Sequence, residues 1–119
     1  MNFRTMLAGL PHAVTCIHID EAIKYRYIEE FESEWMRVYN LVEQKKKEGS
    51  LDWDKEKSDK IREEAFMKAF AACENEEASS LVSDDFGLMY DAKAMKVKDE
   101  WLDKLIWSYE CCRFPHGDL

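Results

Sequence analysis

An all-α fold is predicted for this sequence: a compact bundle of about four helices behind a short irregular N-terminal segment. Three observations predict it. Apolar residues make up 46% and charged residues 35% of 119, a balance that excludes disorder and favours a packed core. Only four glycines and two prolines are present, too few for a β-sandwich, which needs a turn signal every ~8–12 residues. Apolar side chains also recur at the 3.6-residue period along most of the chain. The length suits a single domain over residues 1–119, large enough to bury a core without disulfides or metal.

The clearest helix spans Asp20 to Lys47. Ile23, Tyr27, Phe31, Trp35, Val38 and Val42 step by three or four and define one continuous face. Acids open this stretch and Lys45, Lys46 and Lys47 close it, which complements the helix dipole. Gly49 is a natural stop. A second helix starts at a Ser50 or Asp52 cap. Its stripe is Ile61, Ala65, Ala69 and Cys73, widened by Phe66 and Phe70. Between Glu74 and Met95 the pattern fits one long helix or a kinked pair. There Ser83 with Asp84 and Asp85 reads as a cap and acidic first turn, and Gly87 weakens the pattern. A last helix runs from Asp99 to Arg113 on Trp101, Leu102, Leu105, Ile106, Tyr109 and Cys112, and Pro115 and Gly117 end it. Val14 to Ile19 resembles a short strand, but no other segment could pair with it, so helix or irregular structure is expected over the first nineteen residues.

No apolar run approaches the ~18 residues that span a bilayer. Met1 to Ile19, broken by Pro11, His12 and His18, does not read as a cleaved signal peptide, and a cytoplasmic location is expected. Cys16, Cys73, Cys111 and Cys112 are expected to be reduced thiols, in line with that compartment.

Catalytic and metal-binding patterns fail one by one. Cys16, His18, Cys111, Cys112 and His116 have none of the spacings of zinc sites, and adjacent cysteines diverge by about 100° on a helix. Asp52, Asp54, Glu56, Ser58 and Glu63 follow a calcium-loop count, but Lys57 stands where that loop needs Gly. Glu100-Trp101-Leu102-Asp103 reproduces half of the magnesium pattern of helical nucleotide pyrophosphatases. The other half begins at Glu29-Glu30, yet Ser33 replaces its closing Glu. No Gly-x-Ser-x-Gly, Walker or dinucleotide motif occurs. No catalytic residue, cofactor or metal is therefore assigned, and a small metal-carboxylate hydrolase is the weakest of three functional readings.

Charge supplies the leading one. The net charge is −8, which disfavours direct contact with nucleic-acid phosphates. From Ala69 to Ala92 there are six acids and no Lys or Arg: Glu74, Glu76, Glu77, Asp84, Asp85 and Asp91. Such a stretch would steer a basic partner. With Phe86 and Tyr90 as apolar anchors, and Trp107 on the flank of the last helix, these residues are the expected partner-binding set. The expected function is that of a small acidic inhibitor which occludes a basic, nucleic-acid-binding surface on another protein. Bacterial immunity proteins and phage anti-defence proteins are natural classes for such a chain. The alternative is a helical scaffold that forms a homodimer through Trp107. Neither reading involves a membrane.

Overall fold

The computed structural model describes residues 1–49 and 53–119. Among them are seven helices: α1 (Phe3–Ala8), α2 (Leu10–Ala13), α3 (Ile19–Lys24), α4 (Glu29–Lys47), α5 (Lys55–Cys73), α6 (Glu76–Ala94) and α7 (Glu100–Glu110). The all-α expectation holds, with no strand among the described residues. The irregular N-terminal stretch is two short helices, and Val14 is buried in the core. None of the helices described is long and apolar enough to cross a membrane.

Local chemistry sets the helix starts. The Asp54 carboxylate accepts from the amides of Glu56 and Lys57 at 2.9 and 3.3 Å and caps α5. Ser50 and Asp52, the expected caps, lie outside the described residues. Asn75 caps α6 by accepting from Ala78 N at 2.9 Å, and Asp99 caps α7 through Leu102 N at 3.1 Å. Glu74 takes a left-handed conformation, φ 53°, and closes α5 so that α6 can fold back on it. Ser83 is not a cap. It lies inside α6, and its hydroxyl donates to the Arg62 carbonyl at 2.9 Å.

α5 and α6 form an antiparallel pair, the most extensive helix contact in the chain. Small residues let them approach: Ala65 and Ala69 are fully buried. Gly87 sits inside a regular α6 because a Cβ there would lie 2.6 Å from Arg62 Cδ. α6 is the central helix, with Val82, Phe86 and Met89 wholly enclosed. Phe86 packs edge-on to Tyr109 of α7 at 5.0 Å and near Phe3 of α1 at 6.3 Å.

The single helix expected from Asp20 to Lys47 is broken at Tyr25–Ile28, between α3 and α4. The cause is Arg26, which turns inward and is 4% exposed. Its guanidinium donates twice to Asp85, at 2.8 and 2.7 Å. It also lies over the Phe31 and Phe114 rings, at 4.3 and 5.4 Å. Asp85 accepts further from Trp35 Nε1 at 2.9 Å and from the Tyr109 hydroxyl at 2.5 Å. A continuous helix would have left Arg26 on a solvent face and Asp85 in the core without a cationic partner.

Two pairs define what holds this architecture. Asp85→Ala would strand a buried guanidinium, so it should cost about 3–5 kcal/mol in a urea melt. A loss under about 1 kcal/mol, the range of exposed ion pairs, would show that the Arg26 pair does not hold the fold.

The second pair joins α4 to α7: Arg37 donates to both Asp99 oxygens, at 2.7 and 3.1 Å. The Arg37 hydrogen bonds hold the Asp99 carboxyl below its ordinary range, outweighing a partial burial that raises it. A carboxyl depressed by folding contributes stability above the ordinary Asp range of about 3.9, and that contribution fades as pH falls through the depressed folded value. Asp99→Asn keeps a good cap and removes the charge. Its melts should lose less stability between about pH 5 and pH 2 than wild-type melts do, whereas an identical acid dependence would separate Asp99 from acid unfolding.

Candidate functional site

On α6, Glu77, Leu81, Asp84, Leu88 and Asp91 step by four and three and share one face. The acids repeat every seventh residue, with a leucine between each pair. α4 stands off from this face, and the space between is a groove made of two adjoining clefts that share Trp35 and Asp84. The first, about 320 Å³, is lined by Tyr27, Phe31, Trp35 and Met36 opposite Leu81 and Asp84, with Glu32 on its edge. The second, about 260 Å³, continues past Tyr39 and Val42 to Asp91.

Each wall has a reason for its position. Trp35 is tied by its nitrogen to Asp85, and its ring stacks on Tyr39 at 5.6 Å. Tyr27, expected in the core, is 50% exposed, because the chain turns at Arg26 and carries the phenol outward. Its hydroxyl donates to Glu77 Oε2 at 2.8 Å, and that hydrogen bond raises the Tyr27 pKa, with burial adding to it. Met36 is 48% exposed. Arg62 reaches across from α5 to Asp84 at 3.1 Å. Burial pushes the Asp84 carboxyl up, and the Arg62 charge works against that push. Arg26 lies at the floor, and its Nε is a buried nitrogen with no partner among the described residues.

The structure divides the expected binding residues. Asp84 lines the groove, and Glu77 stands beside it through its hydrogen bond from Tyr27. Asp85 does not reach the surface: it is 0% exposed and committed to Arg26, Trp35 and Tyr109. Phe86 is likewise buried, because each residue turns a helix by about 100°. Asp91 borders the groove but is held by Trp53 Nε1 at 2.7 Å, Ser58 Oγ at 2.8 Å and Lys46 Nζ at 2.9 Å. Tyr90 faces the opposite side of α6, 6.0 Å from Phe3. Glu74 and Glu76 are exposed near the start of α6. Trp107 is 58% exposed on α7, with the Arg113 guanidinium 5.7 Å from its ring.

The stretch without Lys or Arg is thus compensated from other elements: Arg26, Lys46 and Arg62 each take one of its acids. Glu74, Glu76 and Glu77, together with Glu32, make no ion pair among the described residues. The exposed Tyr27 and Met36 and the half-buried Trp35 and Leu81 were not in the expected binding set. The seven-residue repeat of acids on α6 was the available signal for this face. Among the described residues, no three His, Cys, Asp or Glu side chains converge to hold a metal.

The all-α chain thus presents one aromatic, acid-edged groove between α4 and α6. The chain belongs to the Immunity protein PIM1 family, which matches residues 10–116 and so nearly all of it. That membership makes it an immunity-type protein, a class that works by binding another protein. No curated protein matches the sequence.

The exposure of Trp107 yields a stability test. Core tryptophans cost about 3–5 kcal/mol on truncation to Ala. Trp107→Ala should cost about 1 kcal/mol or less by thermal melt, in the range of a surface side chain with one cation–π contact. A core-sized loss would place the indole inside the packing.

Proposed function

We propose that this protein protects its cell by binding a toxin and covering a basic, nucleic-acid-binding surface on it with the groove between α4 and α6. It acts by occupancy and not by turnover, and it works in the cytoplasm. The observation that carries this reading is the pairing, along one groove, of exposed or half-buried apolar groups with Glu32 on its edge and Glu77 beside Tyr27, neither of which makes an ion pair among the described residues. Tyr27, Trp35, Met36 and Leu81 offer the aromatic and apolar area that dominates interface energies. Glu32 and Glu77 lie beside them and steer a cationic partner, which raises the association rate more than the affinity. Family membership supports the wider part of the reading, that the partner is another protein.

A second reading has one observation behind it. Trp107 borders a cleft of about 460 Å³ with Ile17 and Leu119, and a second copy could cover that indole. Sedimentation of the wild type and of Trp107→Ala distinguishes the two, since self-association through Trp107 requires a dimer that the variant loses.

The leading reading is tested by affinity capture from the source organism, with wild-type protein and two variants as baits. The first variant is Glu32→Lys with Glu77→Lys; the second is Met36→Asp. The wild type should retain a toxin with a basic face and protect cells that express it. The charge reversal should slow association several-fold and flatten its salt dependence, because the Debye length is only ~8 Å at physiological ionic strength. Met36→Asp should raise the dissociation rate. Neither should alter the helical circular dichroism. Retention and protection that ignore both variants and added salt would move the binding face away from α4 and α6.

A further inference from the structure

α6 separates two faces of opposite charge. On the side away from the α4 groove, α1 and α5 enclose a larger cleft of about 600 Å³. Leu7 and Ile61 line its walls, and Phe3 and Tyr90, packed 6.0 Å apart, form its floor. Its edges carry Arg4 from α1 and Lys57, Lys60 and Lys68 from α5, against one acid, Glu64. All four cations are exposed, and none makes an ion pair among the described residues. Lys93 sits 5.6 Å from the Phe3 ring and adds positive charge at the floor's edge. On the opposite side, Arg26, Arg37, Lys46 and Arg62 are each matched by a carboxylate. The net charge of −8 therefore conceals one face whose Arg and Lys side chains make no ion pair among the described residues, with Asp54 and Asp91 acting by charge only on Tyr90 in its floor.

The cations on α5 recur at helical spacing from Lys57 to Lys68, a row roughly 16 Å long at 1.5 Å per residue. An apolar floor between α1 and this row is the geometry that takes an amphipathic segment. We propose that the α1–α5 groove docks an acidic, amphipathic segment of a partner protein. Its apolar residues enter over Phe3, Leu7, Ile61 and Tyr90, and its carboxylates meet Arg4 and the α5 lysines. A protein segment fits better than nucleic acid for two reasons. The aromatic rings are packed on each other in the floor and are not splayed for base stacking. A polyphosphate would also meet the repulsion of the whole acidic molecule and of Glu64, which a segment with a few carboxylates largely avoids. This face is separate from the α4–α6 groove, so either can fail without the other.

The test is fluorescence anisotropy on the full chain with two labelled probes: a short peptide alternating Glu with Leu, and a single-stranded oligonucleotide of equal charge. The wild type should bind the peptide saturably. Lys57→Glu with Lys60→Glu and Lys68→Glu should weaken that binding by about tenfold or more, and the same three positions changed to Gln should weaken it less. Glu32→Lys with Glu77→Lys should leave it unchanged or tighten it slightly. Circular dichroism checks that each variant keeps its helices, as substitutions at exposed lysines should. The proposal is overturned by an absence of saturable peptide binding, or by binding indifferent to the reversals. It is equally overturned by tighter binding to the oligonucleotide, or by a dimer of the chain alone that the lysine reversals dissociate, which would make a second copy the occupant.

Discussion

A charged guanidinium is expensive to remove from water unless a carboxylate meets it with good geometry, and Arg26 has been removed from water almost completely. The bidentate contact with Asp85 is the constraint on which the rest of the structure depends. Burial alone works against the charged Arg26, and the charge and hydrogen bonds of Asp85 outweigh it, so the Arg26 pKa is raised. Burial, and then the Asp85 charge, push the Tyr109 phenol well above its ordinary range, which keeps it a neutral donor. Through one carboxylate the turn after α3, the indole of α4, the centre of α6 and the phenol of α7 converge. Phe114, beyond α7, covers the same guanidinium. Breaking such a pair from one side is costly because it leaves a buried charge, whereas apolar replacement of both partners at the same volume can be as stable.

The groove is a consequence of that convergence. Because Arg26 turns inward, Tyr27 turns outward; because Trp35 reaches Asp85, its ring lies between α4 and α6 and walls the cleft. At the far end Asp91 draws in Lys46, Trp53 and Ser58 and fixes α4 and the start of α5 against α6. The groove therefore stands on pinned elements at both ends, which suits a surface that must present aromatic groups without reorganising.

Much of the fold was legible and part of the site was not, for identifiable reasons. Periodicity is a local signal, and it located α5 and α7 to within a few residues. The same signal joined α3 to α4, because Ile23, Tyr27 and Phe31 keep helical spacing across the break. What breaks the helix is the need of Arg26 for a partner 59 positions away, which no window of local sequence contains. The acidic stretch was visible as composition, but compensation is a property of space. Arg26, Lys46 and Arg62 lie outside the stretch and neutralise half of its six acids. Helical phase, which was available, would have placed Asp85 and Phe86 off the face shared by Glu77 and Asp84. The basic groove went unread because a net charge averages over faces.

Amide hydrogen exchange, compared between the free protein and its complex with the captured toxin, tests the central claim most directly. Binding through the α4–α6 groove should slow exchange in α4 around Trp35 and Met36 and in α6 from Glu77 to Leu88, while α7 around Trp107 exchanges as it does in the free chain. Slowing confined to α7 and the segment after it, with α4 unchanged, would contradict the assignment of the groove.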